Sequence, residues 1–356
     1  MNDDGRVYFI GAGASKQDRF PLTSELKHGL AWSIRKEPQR FAQLAKHLEY
    51  LYHVSGETFE KSADIWENLS DLPSDAPPAR CQIPDVTDLL STLDWIIREQ
   101  SSFGPGLETH DEKRSPIDDL PDVRDLVVQA LCHCLGEYHR CHKASATEQF
   151  VKVIEPTDSL ITTNWDLLLD ATRHGRFGSE PADYGTTANV VLEGPAEKER
   201  VRPKLLKLHG SLSWRYCQRC QRLVIDPLRH VAGERNERCE CTYSYSELIV
   251  TPGFVREYRN IHLLTIWREA LEALAKASHW IFIGYSLPPD DVAIRTLLLK
   301  ARCVRKDIGG QKPRVTIVTG PGGEQTRVRY LGIFADVKLF DGDFGDFVEQ
   351  KGGGIL

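Results

Sequence analysis

Residues 7–15 read Val7-Tyr8-Phe9-Ile10-Gly11-Ala12-Gly13-Ala14-Ser15, four apolar residues followed by a turn of small ones. An unbroken apolar run of this kind predicts a strand that is buried on both faces, as in a parallel sheet. A helix is predicted soon after the turn, because apolar residues recur there every four positions. These are Leu22, Leu26, Leu30 and Ile34. A strand, a glycine turn and a helix in this order predict a cradle for the diphosphate of a dinucleotide.

The glycine turn taken alone leaves two interpretations open. The usual dinucleotide fingerprint is G-x-G-x-x-G, and Lys16 stands here at the position of the third glycine. No acidic residue ends a second strand about twenty residues further on, where the ribose of a dinucleotide is held. A tight strand-to-helix turn that binds nothing is therefore the alternative, and the rest of the chain has to decide.

The composition is that of a globular protein and disfavours two classes of function. With 356 residues, of which 41% are hydrophobic and 27% charged, the chain can form one large domain with insertions or two domains. A net charge of −6 argues against a general nucleic-acid binder, because such proteins neutralise phosphates with Lys and Arg. No run reaches the roughly eighteen apolar residues of a membrane span, and the N-terminus lacks the apolar core of a signal peptide. The nine cysteines, several in close pairs, fit thiol or metal chemistry in a reducing cytoplasm better than a disulfide scaffold.

The second half of the chain alternates short apolar or β-branched runs with helical patterns. This alternation predicts an α/β fold with a doubly wound, Rossmann-like parallel sheet, formed by residues 1–35 and 151–356. Residues 36–150 carry helical and loop patterns, which predict an inserted helical module. The strands predicted after this module are 159–163, 204–208, 248–251, 280–283, 315–319 and 337–340.

Small or polar residues follow five of the predicted strands at their carboxyl ends, where ligands of such sheets bind. These clusters are Gly11–Ser15, Thr162–Asp166, His209–Leu212, Thr251–Gly253 and Gly284–Pro288. A single Asn or His in such a position is by default a helix cap or a core residue. Five clusters that converge from separate strands predict a binding site instead.

The ordered set of motifs GAGxS, T-x-N-x-D, L-H-G, paired cysteines and G-x-S-L resembles the sirtuin family. The forms TTN-aromatic-D-x-L, LHGSLxW and GYSLP-x-D resemble most closely its bacterial, defence-associated branch. The resemblance covers both ends of the chain and leaves roughly residues 36–150 uncovered. It implies a Rossmann-like domain that binds NAD+.

The resemblance also implies roles for the residues that match its motifs. Asn164 would hold the ribose next to nicotinamide and orient a water, Asp166 would face the nicotinamide amide, and His209 would act as a general base. The remaining matches would bind the dinucleotide. They are Gly11, Ala12, Gly13, Ser15, Thr163, Gly284 and Ser286.

Cys217 and Cys220 are followed, after eighteen residues, by Cys239 and Cys241. Two cysteine pairs at zinc-ribbon distance predict one tetrahedral structural zinc in a small module at residues 211–246. The second pair is C-x-C rather than C-x-x-C, so four reduced thiols in a loop remain the alternative. Sirtuins carry a zinc at this place in the motif order, and the resemblance therefore favours the metal, with no part in catalysis.

Three departures from the protein deacylases of that family point to a different reaction. One is Thr163, which stands where the T-Q-N motif of the deacylases has glutamine. The deacylases hold their acyl-lysine peptide with a segment reading roughly V-x-F-G-E, whereas residues 248–254 read LIVTPGF here. The arginine expected after the first glycine turn is also missing around Pro21–Thr23. The relatives with matching motifs are hydrolases that deplete NAD+ during phage infection, so the resemblance implies an NAD+ glycohydrolase in antiphage defence.

The activity of such a hydrolase has to be restrained in an uninfected cell. The helical module and the proline-rich stretch 70–84 are the candidates within the chain, and we expect gating by homo-oligomerisation or by a separate partner such as a ring-forming ATPase. No nucleic acid or membrane is expected as a direct partner. The alternatives to a hydrolase are an NAD-dependent protein-lysine deacylase and a non-catalytic sensor of NAD+ or ADP-ribose.

Overall fold

The computed structural model describes residues 5–69, 83–99, 120–141, 145–177, 182–190, 202–226, 238–253, 258–320 and 323–352. Most of the proline-rich stretch 70–84 and residues 227–237 of the predicted zinc module lie outside the described residues. The chain divides into two compact units. The first comprises Met1–Phe20, Cys141–Val250 and Tyr258–Leu356, and the second comprises Pro21–Arg140 and Thr251–Glu257.

The described residues form ten strands and twelve α-helices. The strands are β1 (Arg6–Ile10), β2 (Ser159–Thr162), β3 (Asn189–Val190), β4 (Lys204–Lys207), β5 (Gly210–Tyr216), β6 (Leu223–Ile225), β7 (Ser246–Ile249), β8 (His279–Ile283), β9 (Arg314–Val318) and β10 (Lys338–Leu339). The helices are α1 (Ala12–Ser15), α2 (Leu26–Lys36), α3 (Ala42–Tyr52), α4 (Gly56–Glu67), α5 (Val86–Glu99), α6 (Leu120–Cys141), α7 (Ser145–Val153), α8 (Leu168–Phe177), α9 (Ile261–Lys276), α10 (Val292–Asp307), α11 (Glu324–Leu331) and α12 (Phe344–Gly352). Among the described helices, none has the length and apolarity that a membrane crossing requires.

The first unit is built on a six-stranded sheet in which every neighbouring pair is parallel. Its order is β10-β9-β8-β1-β2-β4, so the chain winds outward from β1 in both directions. The apolar residues 7–10 of β1 are all buried between the two neighbouring strands. The predicted α/β fold with a parallel sheet is therefore confirmed, and its first strand lies at the point where the strand order reverses.

Aromatic side chains fill the core on either side of this central strand. Tyr8 meets the ring of Phe150 edge-on, at 5.3 Å between ring centroids. Phe9 lies 5.5 Å from Phe282 on β8 and 4.7 Å from Tyr285 just beyond it. Because successive side chains of a strand point to opposite faces, Tyr8 and Phe9 anchor β1 to the core on both sides of the sheet.

A second, four-stranded sheet has the order β3-β6-β5-β7, with β5 antiparallel to both neighbours. The predicted strand at residues 248–251 is found here as β7, so its assignment to the parallel sheet was wrong. The reason is that β5 begins at Gly210, directly after the turn that follows β4, and offers its edge to β7, pairing Gly210 with Ile249.

The described residues of the second unit form the helices α2, α3, α4 and α5 and most of α6. Its helices α2 and α4 pack against each other, and Ser62 Oγ of α4 lies 2.7 Å from Nδ1 of His28. Ser33 donates to the carbonyl of Ala130 on α6 at 2.8 Å. Compared with the predicted module at residues 36–150, this unit also includes residues 21–35, while residues 141–150 lie with the first unit.

A half-buried histidine on β8 makes the stability of the first unit depend on pH. Desolvation by burial, followed by the nearby charges of Arg314, Arg6 and Lys338, lowers the pKa of His279 to about 4. Between pH 6.5 and 4 the unfolded chain therefore binds more protons than the folded chain, and the free energy of unfolding falls as the pH falls. We expect the free energy of unfolding of His279→Gln to decrease by about 2 kcal/mol less than that of the wild type over this pH range. The difference is smaller than the full pKa shift would give, because the ring is partly exposed to solvent. Denaturant unfolding at pH 7 and pH 4.5 measures it, and an equal decrease in variant and wild type would contradict the assignment.

Candidate functional site

Two glycine turns lock together at the carboxyl ends of β1 and β8. The Gly11 amide donates to the carbonyl of Ile283 and the Gly13 amide to the carbonyl of Gly284, both at 2.9 Å. Gly284 has φ +60°, and a Cβ there would lie 2.0 Å from the amide nitrogen of Ala14. No side chain fits into this contact, so glycine is required and the two turns present one continuous backbone surface. Crevices of this kind, where the strand order reverses, are where open α/β sheets bind their ligands.

Ser15 connects the first turn to the loop after β2. The side-chain amide of Asn164 donates to Ser15 Oγ at 3.0 Å, and Ser15 Oγ donates to Asp166 Oδ2 at 3.0 Å. The amide N–H of Asn164 donates to Thr162 Oγ1 at 3.0 Å, and that hydroxyl donates to the carbonyl of Ile10 at 2.9 Å. Three of the predicted site residues, from two separate strand ends, therefore belong to one hydrogen-bond network.

A pocket opens beside this network. Ser15, Asn164 and Asp166 form its polar side together with Thr147. The rest of its lining is apolar and consists of Ile10, Ala14, Phe150, Leu168, Leu169 and Phe344. An apolar pocket with a few convergent polar groups is the usual form of a small-molecule site.

A buried ion pair lies behind the same loop and was not predicted. Lys207 Nζ lies 2.9 Å from Asp170 Oδ2 and donates to the carbonyl of Asp166 at 2.5 Å. The Tyr184 hydroxyl donates to the other oxygen of Asp170 at 2.6 Å. The side chains of Lys207 and Asp170 are 1% and 0% exposed. The only sequence signal was a lysine in the apolar run KLLKLHG, which reads equally well as a residue at the surface of a strand.

The turn after β4 carries His209 and runs beside the turn after β2. The two strands are neighbours in the sheet, and the Leu212 amide donates to the carbonyl of Trp165 at 3.0 Å. Asn164 precedes Trp165 in the chain, and His209 lies three residues before Leu212. The predicted amide and imidazole are therefore carried by adjacent turns at the same edge of the sheet.

Both the backbone and the imidazole ring of His209 make polar contacts. Its carbonyl accepts from the amide of Val250 at 2.8 Å. The Tyr258 hydroxyl lies 3.3 Å from His209 Nε2, and Tyr258 in turn packs edge-on against Trp267, with ring centroids 4.9 Å apart. His209 is 8% exposed. Sequence reasoning missed Tyr258, because no motif position distinguishes it.

The two remaining residues predicted to bind the dinucleotide, Thr163 and Ser286, differ in their solvent exposure. Thr163 is half-buried between the strand end and Asn164, and Ser286 is exposed after β8, where its carbonyl accepts from Arg329 at 3.0 Å. The predicted cluster Thr251–Gly253 follows β7 of the second sheet, so the prediction that it ends a strand of the parallel sheet was wrong.

The four predicted metal-ligating cysteines come together. Sγ of Cys217 lies 3.4 Å from Sγ of Cys241, Sγ of Cys220 lies 3.4 Å from Sγ of Cys239, and all four sulfurs lie within 4.8 Å of one another. A tetrahedral zinc with Zn–S bonds of about 2.3 Å separates its sulfurs by about 3.8 Å, so the cluster fits the ion. The amide of Cys241 lowers the pKa of Cys239 to about 6. The amide of Arg222 acts in the same direction on Cys220, but the neighbouring Cys239 thiol and burial outweigh it and raise the pKa of Cys220 to about 11.

The backbone explains how the short C-x-C pair reaches the cluster. The residue after it, Thr242, has φ +70°, and its amide donates to the carbonyl of Cys239 at 2.7 Å. The amide of Cys239 donates in turn to the carbonyl of Tyr243 at 2.8 Å. This reversed turn brings Cys241 back toward Cys217, which compensates for the missing residue between the cysteines.

A parallel α/β sheet with glycine turns at its switch point and a four-cysteine cluster defines a Rossmann-like class of protein with a candidate zinc site. The family model of the SIR2-like domain matches residues 158–332. Residues 158–332 therefore contain a SIR2-like domain, which supports an NAD-dependent function of the Sir2 type. No curated protein sequence matches the chain.

Solved sirtuin structures are similar to the chain at low sequence identity. A structure of Sir2Tm bound to a propionylated peptide is 14% identical, covers 99% of this chain and 94% of its own, and has a TM-score of 0.43. A complex described as Sir2-p53 peptide-NAD+ is 13% identical, with the same coverage and a TM-score of 0.43. A third, on the mechanism and regulation of Sir2 enzymes, is 14% identical, covers 99% and 92%, and has a TM-score of 0.44. Because these TM-scores lie below 0.5, the family assignment rests on the sequence match.

Proposed function

We propose that the protein is an NAD+ glycohydrolase, which cleaves the bond between nicotinamide and ribose and releases nicotinamide and ADP-ribose. The observation that carries the proposal is the network of Ser15, Asn164 and Asp166, which lines a largely apolar pocket. His209 lies on the adjacent turn and is the only histidine among the residues proposed for the site.

The chemistry of the cleavage matches these groups. Breaking the glycosidic bond of NAD+ expels a neutral leaving group through an oxocarbenium-like transition state, so little acid assistance is needed. The amide of Asn164 can orient a water without adding charge, and an imidazole such as His209 can accept its proton near neutral pH. A protein that only held NAD+ intact would need neither group.

The proposed binding mode assigns the remaining residues. The backbone of Gly11, Ala12 and Gly13, closed by Gly284, would hold the diphosphate, and Thr163 and Ser286 would contact other parts of the dinucleotide. Asp166 would face the carboxamide of nicotinamide inside the pocket. Apolar walls would keep bulk water from the reacting carbon. A zinc bound by the four cysteines would have a structural role only, because they belong to the second sheet and its loops.

The proposed biological role is that of a gated, NAD+-depleting effector in bacterial antiphage defence. The support is the resemblance of the TTN-aromatic-D and GYSLP motifs to that branch of the family. Such a protein would act in the cytoplasm and would be restrained by a second copy of the chain or by a separate partner such as a ring-forming ATPase. Copurification tests this restraint, and a chain that is monomeric, alone and fully active would contradict it.

Incubation of the purified protein with NAD+ tests the proposed reaction. We expect release of nicotinamide and ADP-ribose in equal amounts without any added peptide, measured by chromatography. The same assay is run with an acyl-lysine peptide and with an extract of phage-infected cells, because a gated hydrolase is silent without its trigger. Release only with the peptide would identify a deacylase, and binding without turnover in every arm would identify a sensor.

Tyr258→Phe tests whether the ring of His209 is held for catalysis. The change removes the hydroxyl 3.3 Å from Nε2 and keeps the aromatic contact with Trp267. We expect the rate of nicotinamide release to fall about tenfold, the size of one lost hydrogen bond. The matched control is Tyr243→Phe, because Tyr243 is 53% exposed and lies outside the proposed site. Equal rates for the two variants would contradict a role for Tyr258.

A further inference from the structure

The ammonium group of Lys207 is buried, which is rare for a lysine. Its side chain is 1% exposed, at the end of β4 and two residues before His209. Burying a charge is unfavourable unless it is paired and hydrogen bonded. A lysine in this position therefore needs a structural or functional reason.

Charge neutralisation explains only part of the arrangement. Asp170 lies 2.9 Å from Lys207 Nζ and is itself satisfied by the Tyr184 hydroxyl on its second oxygen at 2.6 Å. These contacts cancel the two charges, but Asp170 accepts only one of the three N–H groups of the ammonium. The additional hydrogen bond from Lys207 to the carbonyl of Asp166 at 2.5 Å is not required for neutrality.

That carbonyl belongs to the loop which carries the proposed reacting groups. The side chain of Asp166 accepts from Ser15 Oγ at 3.0 Å and from the amide of Leu168 at 3.1 Å, at the start of α8. Fixing its carbonyl fixes the backbone of the loop shortly after Asn164. Lys207 thus connects the strand that leads to His209 with the loop that carries Asn164 and Asp166.

We propose that Lys207 is a positioning residue, which sets the distance and orientation between the His209 turn and the Asn164–Asp166 loop. This inference rests on the proposed function and adds to it a residue that touches no substrate. Lys207 acts through a backbone carbonyl, so its loss is expected to affect the chemical step more than binding. The diphosphate cradle at Gly11 and Gly284 does not involve it.

Three variants separate positioning from charge balance. Lys207→Met removes the ammonium and leaves Asp170 buried without its cation, and Asp170→Asn leaves the ammonium without its anion. The double variant, Lys207→Met with Asp170→Asn, leaves no unpaired charge in the buried pair. The side-chain amide oxygen at position 170 can still accept from the Tyr184 hydroxyl. The hydrogen bond to the Asp166 carbonyl, however, is not restored. Lys204→Met, on the same strand with a side chain 39% exposed, is the matched control.

The melting temperature, kcat and KM for NAD+ are measured for each variant. We expect both single variants to melt at lower temperature and the double variant to recover most of that loss. The double variant is nevertheless expected to keep a kcat at least about tenfold below that of the wild type, the effect of one lost positioning contact, with KM changed less than about threefold. Lys204→Met is expected to match the wild type in kcat and KM.

The outcomes distinguish this inference from the proposed function. An active wild type whose double variant recovers both melting temperature and kcat would overturn the role of Lys207 alone, because charge balance would then explain the pair. A rise in KM with unchanged kcat would also overturn it. A wild type that releases no nicotinamide in any arm of the assay would overturn the hydrolase proposal, and this inference with it.

Discussion

His209→Ala is expected to lower the rate of nicotinamide release by at least about 10²-fold, the usual contribution of a general base. Asn164→Ala is expected to have an effect of similar size. It removes the amide proposed to orient water and also the hydrogen bond to Ser15 Oγ, measured at 3.0 Å. Both rates are measured with saturating NAD+, so that a change in kcat is separated from a change in binding.

His47→Ala is the control for this prediction. His47 lies on α3 of the second unit and is 8% exposed, the same value as His209, so the two substitutions remove equally buried imidazoles. The variants at His209 and Asn164 should still bind NAD+, because the cradle at Gly11 and Gly13 is unchanged. A His209→Ala protein that folds, binds NAD+ and retains its turnover would contradict the proposed mechanism.

Loss of zinc is the second prediction with a large expected effect. We expect Cys217→Ser to remove about one zinc ion per chain, and treatment of the wild type with a strong chelator to do the same. Either change should destabilise the second sheet, because structural zinc sites contribute on the order of 10 kcal/mol of binding free energy to folding. Turnover should fall as well, because β5 begins directly after His209 and ends directly before Cys217. Metal analysis, the melting temperature and kcat are measured together.

Cys303→Ser serves as the control, since Cys303 is an exposed thiol on α10 and lies outside the cluster. It should keep the zinc, the melting temperature and the turnover of the wild type. The prediction would be contradicted by a preparation that contains no zinc and melts at the same temperature as one that does. In that case the four thiols would be a reduced loop, the alternative that the C-x-C spacing left open.

The parallel sheet could be predicted because its strands have a local signature. Strands buried on both faces are runs of apolar or β-branched residues, and β1, β8 and β9 are such runs bounded by glycine or polar turns. The candidate site followed from the same rule, since the residues after parallel strands meet at one edge. Asn164, Asp166 and Ser15 were brought together in this way.

The features that could not be predicted depend on partners distant in the sequence. β7 has the composition of any short apolar strand, and only its pairing with β5 assigns it to the second sheet. Lys204 and Lys207 occupy the two ends of one apolar run, yet their side chains are 39% and 1% exposed. No local pattern separates them, because the burial of Lys207 is decided by Asp170 on a helix elsewhere in the chain.

The interlocked turns at Gly11 and Gly284 have a consequence for synthesis of the protein on the ribosome. The first turn is translated early, but the carbonyl that receives the Gly13 amide is added only after most of the chain has emerged. Contacts this distant along a chain are slow to form, because closing a long loop costs conformational entropy. A nascent or prematurely terminated polypeptide that ends before β8 contains the Gly11 turn but lacks the Gly284 turn, so the contacts between them cannot form. If the finished protein exhausts a cell's NAD+, translation itself delays that hazard until the polypeptide is nearly complete.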